Sequence, residues 1–137
     1  MGIIPTFSLK NSKMPRILHI MLKVTDLDKS VDFYTNVLGM RVLRTRDRSD
    51  RTIAFIGYED ESEASCMELV YFHDAKMRDI HPSFGHMAIN IPKPIEFEEK
   101  IKNTDVEVTR GFNEDYTNKM KILDPDGYEI EVINKYI

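Results

Sequence analysis

The stretch "HIMLKVTDLDKSVDFYTNVLG", residues 19–39, changes from one periodicity to another, and this change decides the fold. Side chains alternate over its first six residues, which predicts a strand with Ile20, Leu22 and Val24 on the face that packs against a core. The opposite face carries His19, Met21 and Lys23. The chain therefore opens its folded part with a strand that has a histidine near its start.

The second half of this stretch has the spacing of a helix. Asp26 or Asp28 is placed to cap its first turn, and Gly39 is a natural residue to end it. The apolar positions between them recur every three or four residues, as on one face of a helix. This stripe consists of Val31, Tyr34, Val37 and Leu38.

Three further strands are predicted after the helix, which completes a β-α-β-β-β module over about residues 16–75. They are "MRVLRTR", "TIAFIGY" and "SCMELVYF". The pattern then restarts over about residues 84–135 with the strand "GHMAINI", the helix "PIEFEEKIKN" and three more strands. These strands are "VEVTRGF", "KMKILD" and "YEIEVIN". We predict one domain, residues 16–135, made of two such modules and preceded by an N-terminal arm, residues 1–15.

Composition excludes several classes of function. The 137 residues are 42% hydrophobic, which is enough for one well-packed domain or for two small units that share a core. A net charge of −4 without a basic stripe argues against nucleic acid as a partner, and no apolar run is long enough to cross a bilayer. The single cysteine, Cys66, fits a reducing compartment, so we expect a cytoplasmic protein.

The repeat extends to residues that can bind a metal. Each module begins with a strand that carries a histidine, His19 or His86, and ends with a strand that carries a glutamate, Glu68 or Glu131. Taken singly, each has an ordinary explanation: a hydrogen-bonded histidine, or a glutamate that faces water. Glu68 fits that explanation least, because the run "CMELVYF" around it is apolar and a buried carboxylate needs a cation or a donor. Matched placement of all four favours a shared metal.

Two imidazole nitrogens and two carboxylates form a mixed set that suits Zn²⁺, Ni²⁺, Co²⁺ or Mn²⁺. Open coordination positions on such an ion permit Lewis-acid catalysis. Cys66 is not needed as a ligand and is interpreted as a small core residue. His73 and His81 are interpreted as surface histidines, and Asp124 as a residue that caps the turn "DPDG".

Several segments carry a resemblance to a known family. "ILHIMLKVTDLDKSVDFYTNVLGMRVLRT", "FIGY", "MELVY", "GHMAINI" and "DPDGYEIEVIN" resemble glyoxalase I of the vicinal-oxygen-chelate superfamily, from about Arg16 to Asn134. The ordered set His–Glu–His–Glu is the most specific part of this match. The resemblance implies an α+β fold in which paired βαβββ modules form a curved mixed sheet around a metal cavity.

The resemblance also implies a function. One divalent metal per site (Ni²⁺, Co²⁺ or Zn²⁺) is held by His19 and Glu68 of one subunit and His86 and Glu131 of the other subunit of a homodimer. The implied reaction isomerises the hemithioacetal of methylglyoxal and a thiol, with glutathione as the co-substrate, to a 2-hydroxyacyl thioester through an enediolate. Glu131 is expected to be the base, with Glu68 as its symmetry-related partner.

Two positions depart from the pattern of the family where glutathione is bound. Lys23 stands where an arginine is usual, and Phe72 stands where an asparagine is common, so both are assigned to the thiol pocket with altered chemistry. Lys119 and Arg110 are candidates to supply replacement charge, or are ordinary surface residues. Two alternatives stay open: another superfamily epimerase or isomerase that acts on a different thioester, and a module that binds metal or thiol without turnover.

Overall fold

The computed structural model describes residues 15–82, 85–112 and 119–134. The chain divides into two compact units, Met1–Arg78 and Asp79–Ile137. The predicted N-terminal arm, apart from Pro15, lies outside the described residues. No helix in the described ranges is long and apolar enough to cross a membrane.

The first unit is a four-stranded mixed sheet with one helical segment. Its strands follow the order β1-β4-β3-β2, in which β1 and β4 are parallel and the other neighbours are antiparallel. The parallel pair arises because the helical segment carries the chain from β1 back across the sheet. The elements are β1 (His19–Lys23), α1 (Leu27–Asp32), a π-helical turn (Phe33–Val37), β2 (Arg41–Asp47), β3 (Arg51–Gly57), β4 (Cys66–Phe72) and a 3-10 turn (Ala75–Arg78).

The helical segment begins and ends at residues that were predicted from the sequence. Of the two candidate caps, Asp26 is the one used, and its carboxylate accepts a hydrogen bond from the Lys29 amide. After the π-helical turn, Gly39 adopts a φ of 75°, a conformation that L side chains rarely take. The Tyr58 hydroxyl donates to the Leu38 carbonyl at 2.6 Å and ties the end of this segment to the strand β3.

The two faces of this sheet have different neighbours. Ile56 and Leu69 are fully buried on the face that α1 contacts, together with Tyr34. The opposite face carries a smaller apolar cluster. That cluster consists of Ile53, Phe55, Cys66, Val70 and Phe72, with Leu43 packed against it.

One residue that the sequence predicts to lie in the core, Ile20, is exposed in the folded chain. Ile20 is 58% exposed, although Leu22 is buried as predicted. The reason is that β1 is an edge strand, so its start has a neighbouring strand on one side only. The preceding residues Ile17 and Leu18 are exposed as well, and with Ile20 and Met21 they form what we call the β1 apolar edge.

The second unit repeats the topology of the first. Its strands follow the order β5-β8-β7-β6, again with one parallel pair, β5 and β8. The elements are β5 (His86–Asn90), α2 (Pro94–Lys102), β6 (Glu107–Arg110), β7 (Lys119–Leu123) and β8 (Glu129–Ile133). The predicted α+β arrangement of paired βαβββ modules is confirmed.

The "DPDG" turn leads into β8 as the sequence predicts. The Asp124 carboxylate accepts hydrogen bonds from the amides of Asp126 and Tyr128, each at 2.9 Å. Gly127 has a φ of 88°, which favours glycine at this position. The turn therefore fixes where β8 starts, and with it which of its side chains face each way.

The internal repeat extends to the register of the strands. In the first unit, Met21 on β1 pairs with Glu68 on β4; in the second, Ala88 on β5 pairs with Glu131 on β8. In both cases the residue that pairs with the glutamate is two positions after the histidine. Side chains two apart on a strand share a face, so each histidine and its glutamate project on the same side of their sheet.

Both units also have a β-bulge in their second strand, β2 in the first unit and β6 in the second. The register of β2 against β3 shifts between Val42 and Arg44, and that of β6 against β7 shifts between Val108 and Arg110. Val42 pairs with Ile56, which faces α1, whereas Arg44 after the bulge pairs with Phe55 on the opposite face. A bulge changes the side of the sheet from which the following side chains project. In the first unit it brings an arginine onto the face that carries the histidine–glutamate pair.

Candidate metal and substrate site

The first predicted ligand pair is in direct contact. His19 Nε2 lies 2.8 Å from Glu68 Oε2, and their side chains are 38% and 18% exposed. The ring of Phe55 meets the imidazole edge to face, with centroids 5.5 Å apart, and so restricts its orientation. One nitrogen and one carboxylate are thus held side by side, accessible to a small ion.

The second pair is close but not hydrogen-bonded. His86 Nε2 lies 3.7 Å from Glu131 Oε2, and His86 Nδ1 lies 4.0 Å from Glu129 Oε1. Glu131 is 8% exposed, so the alternative that it is a solvated strand residue is wrong. Its position is unusual for a carboxylate, which is rarely buried without a charged or hydrogen-bonding partner.

Two lysines on the neighbouring strand β7 place positive charge beside the two glutamates of β8. Lys119 Nζ lies 3.6 Å from Glu131 Oε1, and Lys121 Nζ lies 3.2 Å from Glu129 Oε1. Lys119 is therefore not only a surface charge but a direct neighbour of the predicted base. Its ammonium places a positive charge beside a carboxylate that is mostly removed from water.

The two pairs have the donor atoms that a divalent ion of the transition series accepts. Each offers an imidazole nitrogen and a carboxylate oxygen on one face of its sheet, in matching register. We call these two nitrogen and two oxygen donors the N₂O₂ set. Among the residues described, no group of three or more His, Cys, Asp or Glu side chains is placed to hold a metal. Each unit, in its described residues, presents one histidine–glutamate pair.

A cavity of about 430 Å³ in the first unit extends from the His19–Glu68 pair across the sheet. Its floor includes Ile53 and Phe55, which are both buried. Its far side is strongly basic. We call that side the arginine rim: Arg44, Arg46, Arg48 and Arg51, with Asp50 beside them.

Two members of the arginine rim are tied to carboxylates. Arg44 donates to both oxygens of Glu61, at 2.8 and 3.1 Å, and its guanidinium lies 3.6 Å from the centre of the Phe55 ring. The hydrogen bond to Glu61 raises the pKa of Arg44 and lowers that of Glu61. Arg51 makes a similar fork with Asp50.

The residues assigned to a thiol pocket do not themselves line this cavity. Lys23 is half-buried at the end of β1, opposite Val70 in the register, and Phe72 is 8% exposed in the apolar cluster. The Arg51 guanidinium lies 4.7 Å from the centre of the Phe72 ring. Neither Lys23 nor Phe72 is among the residues that line the cavity. Their role towards a thiol stays a prediction.

The remaining candidates have the ordinary roles predicted for them. Cys66 is buried, and burial raises the pKa of its thiol. His73 contacts the Thr52 hydroxyl, and His81 contacts Asp79, both at the surface. None of the three is needed for the four-residue set.

Sequence reasoning missed the arginine rim and the role of Phe55. A signal was present in "RTRDRSDR", residues 44–51, where three arginines alternate with other residues and a fourth follows. Alternation in a strand places side chains on one face, so this run predicts a basic stripe. Which face receives it depends on the bulge, and the run alone does not reveal the bulge.

Comparison with known proteins defines the class to which this fold and site belong. Residues 16–132 match the family model described as the Glyoxalase/Bleomycin resistance protein/Dioxygenase superfamily. The chain belongs to this superfamily.

Individual relatives match most of this chain in sequence or in structure. The chain is 40% identical over 125 residues to a lactoylglutathione lyase of Neisseria meningitidis serogroup A, covering 88% of this chain and 91% of that protein. It is 39% identical over 125 residues to the lactoylglutathione lyase of Escherichia coli O157:H7, covering 88% and 93%. Among solved structures, the trypanothione-dependent glyoxalase I of Leishmania major superposes with a TM-score of 0.78 and 34% identity, covering 88% of this chain and 87% of that one.

Proposed function

We propose that this chain is a lactoylglutathione lyase, glyoxalase I, which isomerises the hemithioacetal of methylglyoxal and glutathione to a 2-hydroxyacyl thioester. The observation that carries the proposal is the pair of histidine–glutamate contacts at equivalent register positions of two repeated units. The identity of about 40% to lactoylglutathione lyases, over most of both chains, supports the same activity.

The four residues His19, Glu68, His86 and Glu131 would hold one divalent cation, for which Ni²⁺, Co²⁺ and Zn²⁺ are the candidates. Such a cation supplies Lewis-acid polarisation of the two oxygens of the hemithioacetal, which acidifies the adjacent C–H bond. The donor set fits, because all four atoms are nitrogen or oxygen and both pairs project from one face of their sheets.

Glu131 carries the proton in this proposal. Its carboxylate takes the proton from the carbon that bears sulfur and hydroxyl, and it returns the proton to the neighbouring carbon after the electron pair has shifted through an enediolate. The reaction is an isomerisation, so no other reactant is needed. The buried position of Glu131 keeps the proton from exchanging freely with bulk water, and the Lys119 ammonium lies 3.6 Å from one of its oxygens.

The proposal includes a homodimer. His19 and Glu68 of one chain would join His86 and Glu131 of a second chain, so that two incomplete pairs make one site. The β1 apolar edge supports this arrangement, since Ile17, Leu18 and Ile20 are each more than half exposed immediately beside His19. Exposed apolar side chains in a contiguous group are typical of surfaces that bind another protein. The cytoplasmic location stays a prediction from the single cysteine.

Mixed dimers of two inactive variants test both the ligand assignment and the dimer. We expect His19→Ala and His86→Ala, each prepared alone, to lack turnover, because every site in either homodimer misses a ligand. A dimer with one chain of each kind has one doubly damaged site and one intact site. Co-expression of the two variants should therefore restore about a quarter of wild-type activity when half of the dimers are mixed.

The control is a co-expressed pair that carries His19→Ala in one chain and Glu68→Gln in the other. Both changes then fall in the same half of the site, so every site is damaged, and the mixture should show no more activity than the mean of the two variants assayed separately. Recovery in this control, or none in the first mixture when mixed dimers are present by mass, would contradict sites shared between chains.

A further inference from the structure

We propose that three charged residues of the second unit, Lys119, Lys121 and Glu129, select the 2-oxoaldehyde and favour a short hydroxylated substituent over a hydrocarbon one. We call these three residues the charged floor. The inference rests on the proposed function, because it takes Glu131 as the base that acts on the two reacting carbons of the aldehyde. It assigns the charged floor to the part of the substrate that lies next to that base.

The register of the two sheets shows that the charged floor replaces apolar residues of the first unit. Phe55 pairs with Glu68 on β4, and Lys121 pairs with Glu131 on β8, so Phe55 and Lys121 are equivalent. The same comparison applied to the neighbouring positions identifies two more equivalent pairs. Every member from the first unit is buried, and every member from the second is charged. The three pairs are Ile53 and Lys119, Phe55 and Lys121, and Cys66 and Glu129.

The charged floor projects from the face of the sheet that carries the second histidine–glutamate pair. Lys119 Nζ lies 3.6 Å from Glu131 Oε1, and Lys121 Nζ lies 3.2 Å from Glu129 Oε1. Met120, which lies between the two lysines, is 1% exposed and projects from the opposite face. The lysines therefore lie on the same side of the sheet as the proposed base, and the core lies on the other side.

A ligand can reach the charged floor, and the charges in it are matched. The side chains of Lys119, Lys121 and Glu129 are 51%, 30% and 33% exposed. Each lysine lies beside one glutamate, so two ammonium groups face two carboxylates. An ammonium has three N–H donors and a carboxylate has about four acceptor positions, so each retains capacity for a ligand. A neutral hydroxyl group suits this surface, whereas a hydrocarbon group would take ions out of water without replacing their hydrogen bonds.

The proposed role of Glu131 brings the aldehyde substituent to the charged floor. A base acts at about 2.6–3.2 Å between heavy atoms, and Glu131 serves both reacting carbons in turn. The substituent is bonded to the second of these carbons, one C–C bond of about 1.5 Å further away. Its first atom therefore lies within about 5 Å of the Glu131 carboxylate. The Lys119 ammonium lies at 3.6 Å from the same carboxylate, which is close enough to contact the substituent.

An ordinary solvated sheet face is the competing explanation. It accounts for charged side chains, but the lysines border a carboxylate that is only 8% exposed, and open water would not leave Glu131 so buried. In the first unit, Ile53 and Phe55 line a cavity at the equivalent positions. The repeat therefore places the charged floor where the first unit lines a cavity beside its own histidine–glutamate pair.

Two aldehydes that differ in one group test this inference. Hydroxypyruvaldehyde has a hydroxymethyl substituent and 2-oxobutanal has an ethyl substituent, so a hydroxyl group replaces a methyl group at nearly constant size. We measure kcat/KM for the hemithioacetal that each forms with glutathione, on the full-length, metal-loaded protein. The readout is the ratio of the two values. Because both come from one preparation, the ratio does not depend on metal content or on the folded fraction.

The wild type is compared with Lys119→Ile/Lys121→Phe, which copies the equivalent residues of the first unit. Lys119→Met/Lys121→Met removes the same charges with flexible, unbranched side chains, and it replaces the first variant if that one does not fold. The control is Lys100→Met/Lys102→Met, which removes two exposed lysines of α2 in the same unit. The Kd values of S-(2-hydroxyethyl)glutathione and S-propylglutathione, measured by calorimetry, give the same hydroxyl-to-methyl comparison for a variant without turnover.

Both floor variants should lower the preference for the hydroxylated compound by about tenfold, a usual size for discrimination of one small group in a pocket. The control variant should keep the wild-type ratio. An equal ratio in the wild type and in the floor variants, with turnover of both aldehydes, would overturn the inference and leave the lyase activity intact. A wild type that converted neither these aldehydes nor methylglyoxal would contradict the lyase activity itself, and the inference with it.

Discussion

Replacement of Glu131 by glutamine is expected to lower kcat by about 10²–10⁴-fold, the usual contribution of a positioned general base. An amide has nearly the same shape as a carboxylate but cannot accept the proton from carbon. The contacts of residue 131 with His86 and Lys119 are with its side-chain oxygens, and an amide retains one of them. The fold should be preserved, which circular dichroism checks, and kcat is measured from the rate of thioester formation with the metal at saturation.

Glu68→Gln is the matched variant, since Glu68 occupies the same register position in the other unit. Both changes remove one carboxylate of the N₂O₂ set, but only one removes the proposed base. We expect Glu68→Gln to retain more turnover than Glu131→Gln at equal metal content. If Glu131→Gln had the same kcat as the wild type, Glu131 would not be the base. If Glu68→Gln had the lower kcat of the two variants, Glu68 would be the base instead.

His86→Ala should weaken metal binding by more than about 100-fold. Loss of a partner that only orients a ligand typically costs 10–100-fold in metal affinity, and His86 is proposed as a ligand itself. The side chain is 45% exposed, so its removal leaves no buried cavity and should cost little stability. The measurement is metal content after dialysis against a graded series of chelator concentrations.

His81→Ala is the control for that experiment. His81 lies in the same unit and pairs with Asp79 in an arrangement that resembles a ligand pair, but it is 80% exposed and has no place in the repeat. We expect the metal affinity of this variant to equal that of the wild type. Equal retention by His86→Ala would show that the ion is held without His86.

The elements that the sequence predicted are those with strong local signals. The alternation in "HIMLKV", the cap at Asp26 and the glycine at position 39 each place a strand or helix end without reference to the rest of the chain. The internal repeat then predicted that the second unit copies the first. The shared register of Met21–Glu68 and Ala88–Glu131 extends that repeat to the pairing of strands.

Features that depend on pairing between distant strands were not predictable. Ile20 has the alternation of a core residue, but its exposure follows from the position of β1 at the edge of the sheet. Two members of the arginine rim, Arg44 and Arg46, depend on a single extra residue between Val42 and Arg44. This residue reverses the face of the sheet from which the later side chains of β2 project. Neither the order of strands nor the bulge is encoded in the periodicity of one segment.

The residue types of the candidate site could be predicted from the sequence, but their contacts in the folded chain could not. Equivalent placement of two histidines and two glutamates in the repeat is visible in the sequence, and each pair is brought together within its unit. The contact between histidine and glutamate within each unit is a property of the folded chain. The lysines that accompany Glu131 and Glu129 are likewise positioned by β7, whose pairing with β8 no local pattern specifies.

Reconstitution of the metal-free protein tests the proposed metal-dependent lyase activity directly. The protein is stripped with a chelator, restored separately with Ni²⁺, Co²⁺ or Zn²⁺, and assayed for thioester formation from methylglyoxal and glutathione. We expect no turnover without metal and robust turnover with at least one of the three ions. Tight binding of metal with no product from this pair of substrates would contradict the proposed lyase activity, and it would direct the search to other thioesters of the same superfamily.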